Sequence, residues 1–204
     1  MKKLLLTGFE PFLSFTVNPT MKIVEDLDGL VIGGYQIVGK VMTVDFKSSG
    51  QQLLSNIEAV QPDAVISMGL AGGRYKVTPE RIAINFKDGA ADNEGNVPVD
   101  ELIQQEGTPG YLSTLPIRAM VNKLLELGLP AEVSNTAGTY LCNNVMYEGL
   151  HYANTKNPSM PSGFIHIPAS HELGIQHGNI PSWSHDDLKK SIVACIEVLS
   201  EHVQ

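Results

Sequence analysis

The sequence predicts an α/β fold, a three-layer sandwich whose mostly parallel, twisted central sheet is covered by helices on both faces. Two observations predict the layers. Short apolar, β-branched runs read as buried strands, and they alternate with amphipathic stretches of helical period, the pattern of right-handed crossovers in a parallel sheet. A third sets the size: 204 residues, 43% hydrophobic and 18% charged, suffice for one core, so residues 1–204 read as a single domain. There is no internal repeat, low-complexity tract or dividing linker.

Residues 3–8 are the first strand, a continuous apolar run broken by Gly8. The opening lysines and leucines start like a secretory leader, but the apolar run stops after three leucines. A helix over 19–27, a β-branched strand over 35–44 and a helix over 48–60 follow. Residues 63–68 form a strand that runs into glycine-rich turn chemistry. Residues 81–86 and 131–134 read as two further strands. Between them a helix over 117–127 is stopped by Gly128 and Pro130. A helix over 143–153, a strand over 163–167 closed by Pro168, and a helix over 185–202 complete the series. Segments 88–98 and 154–162 are loops by their Gly, Pro and Asn content, and candidate site loops.

Charge and cysteine usage exclude several classes. Fourteen basic against twenty-two acidic residues leave a net charge of −8, with no Lys/Arg block longer than two, which argues against nucleic acid as partner. No run approaches the roughly eighteen apolar residues of a membrane span. Two cysteines make no disulfide framework, so the expected compartment is the cytoplasm, where a thiol stays reduced.

Those two cysteines read differently. Cys195 shares one helical face with Leu188, Ile192, Ile196 and Leu199 and belongs to the core. Cys142 ends a small, apolar run and opens the amphipathic stretch 143–151. At a helix start, free N–H groups and the helix dipole favour a thiolate and stabilise a developing oxyanion. Taken alone, Cys142 also reads as a small buried hydrophobe.

A thiolate nucleophile needs a base and a group to orient it. His166, at the end of an apolar strand, is the candidate base; the alternative is a core histidine held by a carbonyl. Glu80, entering the strand over 81–86, is the candidate acid, and a carboxylate there needs a partner. Alternatively it forms an ion pair with Arg74 or Arg81 that pins the loop. His151, His171, His177, His185 and His202 lie on helices or in a polar loop, and no metal-ligand spacing is present. The glycines at 69, 72 and 73 match neither a P-loop nor a dinucleotide fingerprint and suit close backbone approach.

Three separated segments, Gly69 through Glu80-Arg-Ile-Ala-Ile-Asn85, Val133-Ser-Asn-Thr-Ala-Gly-Thr-Tyr-Leu-Cys-Asn143 and Gly163-Phe-Ile-His-Ile-Pro168, resemble the three signatures of the type I pyroglutamyl peptidase family, also called pyrrolidone-carboxylate peptidases. Thr7-Gly-Phe-Glu-Pro-Phe12, Asn18-Pro19 and Asp92-Asn93 are similar too. The resemblance implies a cofactor-free cysteine peptidase that removes N-terminal pyroglutamate from peptides. It also implies a cytoplasmic homo-oligomer, a tetramer or a dimer. Position by position, it makes Cys142 the nucleophile, His166 the base and Glu80 the orienting acid. Phe9, Phe12, Asn18, Thr43, Leu70, Tyr140 and Leu141 fall where the family lines its substrate pocket. Leu70, Tyr140 and Leu141 stand where many members carry glutamine, phenylalanine and valine. A neutral lactam suits an apolar, aromatic pocket with a few amide-directed hydrogen bonds.

Two other classes compete. A binding protein on the same scaffold would have lost turnover, though all three catalytic positions are filled. A nucleoside phosphorylase of similar architecture would need a basic phosphate site, for which Arg74 and Arg81 are the suppliers.

Overall fold

Leu4, Leu5 and Leu6 are all fully buried, yet consecutive strand residues point to opposite faces; their strand must lie in the interior of a sheet covered on both sides. The computed structural model, which describes residues 1–202, shows this arrangement. Leu4 and Leu6 join one hydrophobic cluster and Leu5 the other. The strand, β1 (Lys2–Phe9), is followed by α1 (Pro19–Leu27), β2 (Val31–Ile32), β3 (Tyr35–Met42), α2 (Ser49–Val60) and β4 (Ala64–Leu70). Next come β5 (Thr78–Pro79), β6 (Ile82–Ile84), β7 (Gly110–Leu112), α3 (Ile117–Glu126) and α4 (Leu141–Lys156). The chain ends with β8 (Ser162–Ile167), β9 (Ala169–Ser170), α5 (His171–His177), β10 (Ser182–Trp183) and α6 (His185–His202).

The main sheet has the order β2-β3-β1-β4-β8-β5. Its four inner strands are parallel, and short antiparallel strands close both edges. Helices α1, α3 and α6 cover one face through Ile23, Met120, Val121, Ile192 and Cys195. Helices α2 and α4 cover the other through Leu53, Ile57, Val145 and Tyr147. This is the layered α/β sandwich the alternation predicts. Because the inner strands are parallel, their carboxyl ends lie together at one end of the sheet, where ligands of such folds bind.

Two of the expected core strands lie elsewhere. The 81–86 run contributes β6, which pairs antiparallel with β7 in a separate two-stranded sheet. Only the middle residue of β6 is buried, because the pair packs against α4 rather than between two helical layers. Residues 131–134 make two isolated parallel bridges, Val77 with Ala131 and Glu80 with Ser134. Pro79 has no N–H to extend that ladder.

Helix α4 begins two residues before the expected start and runs three beyond the expected end. Residues 171–177, expected in a loop, form α5. Its stop and start signals are present: the Ser170 hydroxyl accepts from the Leu173 N–H, and Gly178 takes the left-handed conformation at φ 72°. Of the two candidate site loops, 88–98 reaches the carboxyl end of the sheet. Residues 157–161 instead lie at the opposite end, where Asn157, Ser159 and Met160 line a hollow with Lys2 and Asp63.

Candidate active site

Cys142 is the second residue of α4, not the residue before it. Tyr140 occupies the N-cap in an extended conformation, and no side chain caps the helix, so first-turn N–H groups face the sheet end unshielded. The sulfur rests on Gly69: a Cβ there would lie 2.7 Å from Cys142 Sγ and 2.8 Å from Phe164 Cζ. Any side chain at position 69 would displace the thiol. In the β4/β8 register Gly69 pairs with His166, so the contact that seats the sulfur also brings it beside the imidazole.

His166 is buried, and its Nδ1 lies 2.7 Å from Glu80 Oε1. Thr78 pairs with His166 across β5 and β8, and the Glu80 N–H donates to the Phe164 carbonyl at 2.9 Å. That pairing places the carboxylate against the far side of the ring, leaving Nε2 for the thiol. Glu80 is completely buried, and Arg74 Nη1 also donates to Oε1, at 2.7 Å. Oε2 has no hydrogen-bond partner among the described residues; the nearby Ser134 hydroxyl donates to the Thr136 carbonyl at 3.1 Å instead.

The electrostatics follow from these neighbours. Burial alone would raise the Glu80 carboxyl, but His166, with Ser134 and Arg74, outweighs it and holds the group below its usual value. Burial likewise opposes a charged His166. The Cys142 sulfur, and behind it Glu80, overcome that and raise the imidazole to about 9. The geometry therefore favours a charged imidazole held between the Glu80 carboxylate and the Cys142 sulfur. Cys195, by contrast, is fully buried in α6 and pushed up to about 12 by burial.

Beside Cys142 lies a small cavity lined by Phe9, Phe12, Asn18, Val44, Leu70, Tyr140 and Leu141. Six of the seven expected pocket residues meet there. Thr43 does not: its N–H and hydroxyl are both held by the Gln52 side chain, at 3.0 and 3.1 Å. Its neighbour Val44 lines the cavity in its place. The cavity measures about 10 Å³, room for about one water. The rings of Phe12 and Tyr140 stack across it with centroids 6.2 Å apart, and Phe46 meets Tyr140 edge-on at 5.1 Å. The Tyr140 hydroxyl donates to the Ala91 carbonyl at 3.2 Å; burial, with Asp92 and Cys142 nearby, pushes it up to about 12.

Polar side chains stitch the walls together. Asn18 caps α1 through Thr20 and donates to the Glu10 carbonyl at 3.1 Å. Asn93 donates to Glu10 Oε1 at 3.0 Å and to the Pro11 carbonyl at 2.9 Å, tying loop 88–98 to the Phe12 segment. Asp92 accepts from the Phe46 N–H at 2.7 Å and from Asn96. Asn143 holds the start of α4 to β6, accepting from the Ile84 N–H and donating to its carbonyl, both at 2.9 Å.

The remaining candidates are engaged elsewhere. Arg81 donates to Asn135 and Arg74 to Glu80, so neither of the cations a phosphorylase would need is free. His171 meets Ser182, His185 meets Asp26, and His151 meets Tyr111. Among the described residues no group of three or more His, Cys, Asp or Glu could hold a metal ion.

Similarity to known proteins converges on one family. The family model described as pyroglutamyl peptidase matches residues 2–202. A pyrrolidone-carboxylate peptidase of Lysinibacillus sphaericus is 60% identical over 197 residues, 97% of this chain and 96% of that protein. The crystal structure of Bacillus amyloliquefaciens pyroglutamyl peptidase I superposes with a TM-score of 0.96 at 40% identity, covering 100% of this chain and 99% of the other. A mutant pyrrolidone carboxyl peptidase from Pyrococcus furiosus gives 0.95 at 42% identity, covering 99% and 100%. With a matched family model over nearly its whole length, and a free thiol seated beside a carboxylate-held histidine, the chain belongs to the pyroglutamyl peptidase family of cysteine-type peptidases.

Proposed function

We propose that this peptidase removes N-terminal pyroglutamate from peptides by acyl transfer, with Cys142 as nucleophile, His166 as acid and base, and Glu80 as the group that orients His166. The observation that carries the reading is the 2.7 Å contact between His166 Nδ1 and Glu80, which leaves Nε2 for a thiol seated on Gly69. The Cys142 thiolate attacks the pyroglutamyl carbonyl carbon, and first-turn N–H groups of α4 take up the negative charge on oxygen. The carbon–nitrogen bond breaks as the imidazolium proton passes to the departing amine. Water then adds to the thioester, its proton passing to His166, and thiolate and pyroglutamate separate.

Specificity rests on the cavity. Phe9, Phe12, Leu70 and Tyr140 offer apolar and aromatic surface to a neutral lactam. Glutamate would have to bury an ammonium and a carboxylate there without partners, which costs several kcal/mol, roughly. The family resemblance further supports one domain over residues 1–204, a homo-oligomer, tetramer or dimer, in the cytoplasm, and no cofactor. Two free cysteines, and the lack of any helix long and apolar enough to cross a membrane among the described residues, accord with that setting.

The test is a pyroglutamyl peptide beside its glutamyl and prolyl analogues, with and without an alkylating agent. Cleavage of the first alone, blocked by alkylation at Cys142, is expected. Cleavage of all three, or activity surviving stoichiometric alkylation, overturns the assignment.

A further inference from the structure

We infer that Arg74 is a positioning residue that sets how firmly the His166–Glu80 pair holds its proton, and through it the reactivity of Cys142. The inference rests on the triad assigned above.

Arg74 lies in the turn that leaves β4, its N–H donating to the Ala71 carbonyl at 2.9 Å. A single guanidinium reaches three acceptors on two segments of the site. Nη1 donates to Glu80 Oε1 at 2.7 Å and to Thr78 Oγ1 at 2.6 Å, and Nη2 donates to the Thr136 carbonyl at 3.2 Å. Thr78 is the residue paired with His166, and Thr136 lies in the loop that leads into Cys142.

The choice of oxygen is informative. An arginine that served only as a clamp would pair with both carboxylate oxygens in the usual fork geometry. Here Arg74 and His166 share Oε1, while Oε2 has no hydrogen-bond partner among the described residues. Two cationic groups compete for one acceptor. While Arg74 holds its share, the carboxylate grips the imidazolium less tightly, and the proton passes more readily to a leaving amine. Glu80 faces His166 from β8, Arg74 from the turn and the Ser134 hydroxyl from the bridging segment. His166 faces Cys142 from α4, and Cys142 in turn faces the neutral Tyr140 phenol, with Asp92 beyond it. Arg81, the other nearby cation, is turned to Asn135 at 2.7 Å. Arg74 is therefore the permanent charge acting on the pair.

The test compares Arg74→Gln with Arg74→Lys, reading both the pH profile of kcat/KM on a pyroglutamyl-linked dye and the pH profile of Cys142 alkylation by iodoacetamide. In Arg74→Gln the alkaline limb of kcat/KM should move up by about one pH unit, the low end of what a neighbouring charge does. Its kcat should fall about three- to tenfold, with KM within about twofold, because a more basic imidazolium releases its proton less readily. Arg74→Lys keeps the charge without the fork, and its limbs should stay within about 0.2 unit of the parent, since charge rather than geometry sets them. If both variants lose activity alike with unmoved limbs, Arg74 only braces the loop and the inference is wrong. His166→Asn separates the two levels. An alkylation profile indifferent to His166 brings down the triad and the inference with it, whereas a profile that depends on His166 but not on Arg74 overturns the inference alone.

Discussion

Cys142 and Cys195 sit on helices of one molecule and differ in almost everything that matters to sulfur. Cys195 lies in the middle of α6, fully buried, packed on the α1/α3 face of the sheet among aliphatic side chains. Cys142 is in the first turn of α4, partly exposed, with a glycine beneath its sulfur and an imidazole beside it. Helix membership therefore says little about a thiol. What separates the two is the position each holds along its helix, first turn or middle, and the charge of its neighbours. A mid-helix sulfur in apolar surroundings stays protonated, its proton held to about 12 by burial. The sulfur at the helix start faces an imidazolium that it helps to keep charged.

The largest expected effect tests this contrast directly. Cys142→Ser should lower kcat/KM on a pyroglutamyl substrate by about 10³-fold or more, the scale of losing a nucleophile, while the far-UV circular dichroism is unchanged. Cys195→Ser should leave kcat/KM within about twofold. In the parent protein, iodoacetamide should modify Cys142 rapidly and Cys195 only at the rate of unfolding. Similar labelling rates for the two, measured by peptide mass spectrometry, would erase the distinction.

A second pair of buried groups refines it. Glu80 and Glu148 are both buried carboxylates, yet Glu80 is held low and Glu148 is raised. Burial raises both, but Glu80 faces the cations His166 and Arg74, whereas among the described residues the Glu148 carboxylate accepts hydrogen bonds from the neutral Gln104 amide alone, at 2.9 and 3.0 Å. Glu80→Gln gives the site the same neutral partner. It should pull the alkaline limb of kcat/KM down from about 9 toward the ordinary histidine value and reduce kcat by about 10²–10⁴-fold. The stability linkage has a matching sign. Because His166 is raised on folding, its contribution is complete below about 6.5 and is lost as pH climbs through about 9. Glu80 is lowered, so its contribution is complete above the unfolded carboxyl value and is lost as pH falls through the folded one. Thermal melts of Glu80→Gln should therefore lose much of the parent's decline between pH 6.5 and 9; an unaltered decline would show that the pair is not its source.

Much of this was legible in the chain itself. Continuous apolar runs at β1, β4 and β8 identify strands buried on both faces, and the segments that resemble the family signatures contain Glu80, Cys142 and His166, which the fold brings together. What resisted reading depends on register between distant segments. Nothing local to Gly69 says that its missing side chain makes room for a sulfur seventy-three residues later. Neither residue's type tells that Val44 lines the cavity while Thr43 is held by Gln52, because that depends on how the chain bends after β3 and where α2 places Gln52. Arg74 offered itself as an ion-pair partner of Glu80, but its sharing of one oxygen with His166 exists only once β5 has paired with β8. The capping signals of α5, Ser170 and Gly178, were present and outweighed by loop-like composition.

The smallest expected effect concerns stability and runs in the opposite direction to the first. Cys195 is fully enclosed among Leu188, Ile192, Ile196 and Leu199, so Cys195→Ala removes a sulfur from close packing and leaves a void. A loss of about 1 kcal/mol is expected, the lower range for deleting one buried heavy atom. Cys142 borders a cavity and is partly open, so little packing is lost with its sulfur. Its replacement by alanine should change stability by no more than about 0.5 kcal/mol. Denaturant midpoints of the two alanine variants give the comparison. The thiol proposed as nucleophile should matter less to folding, and a larger loss at Cys142 than at Cys195 would mean that the helix start is held by its sulfur on Gly69 rather than by the Asn143 bonds to Ile84.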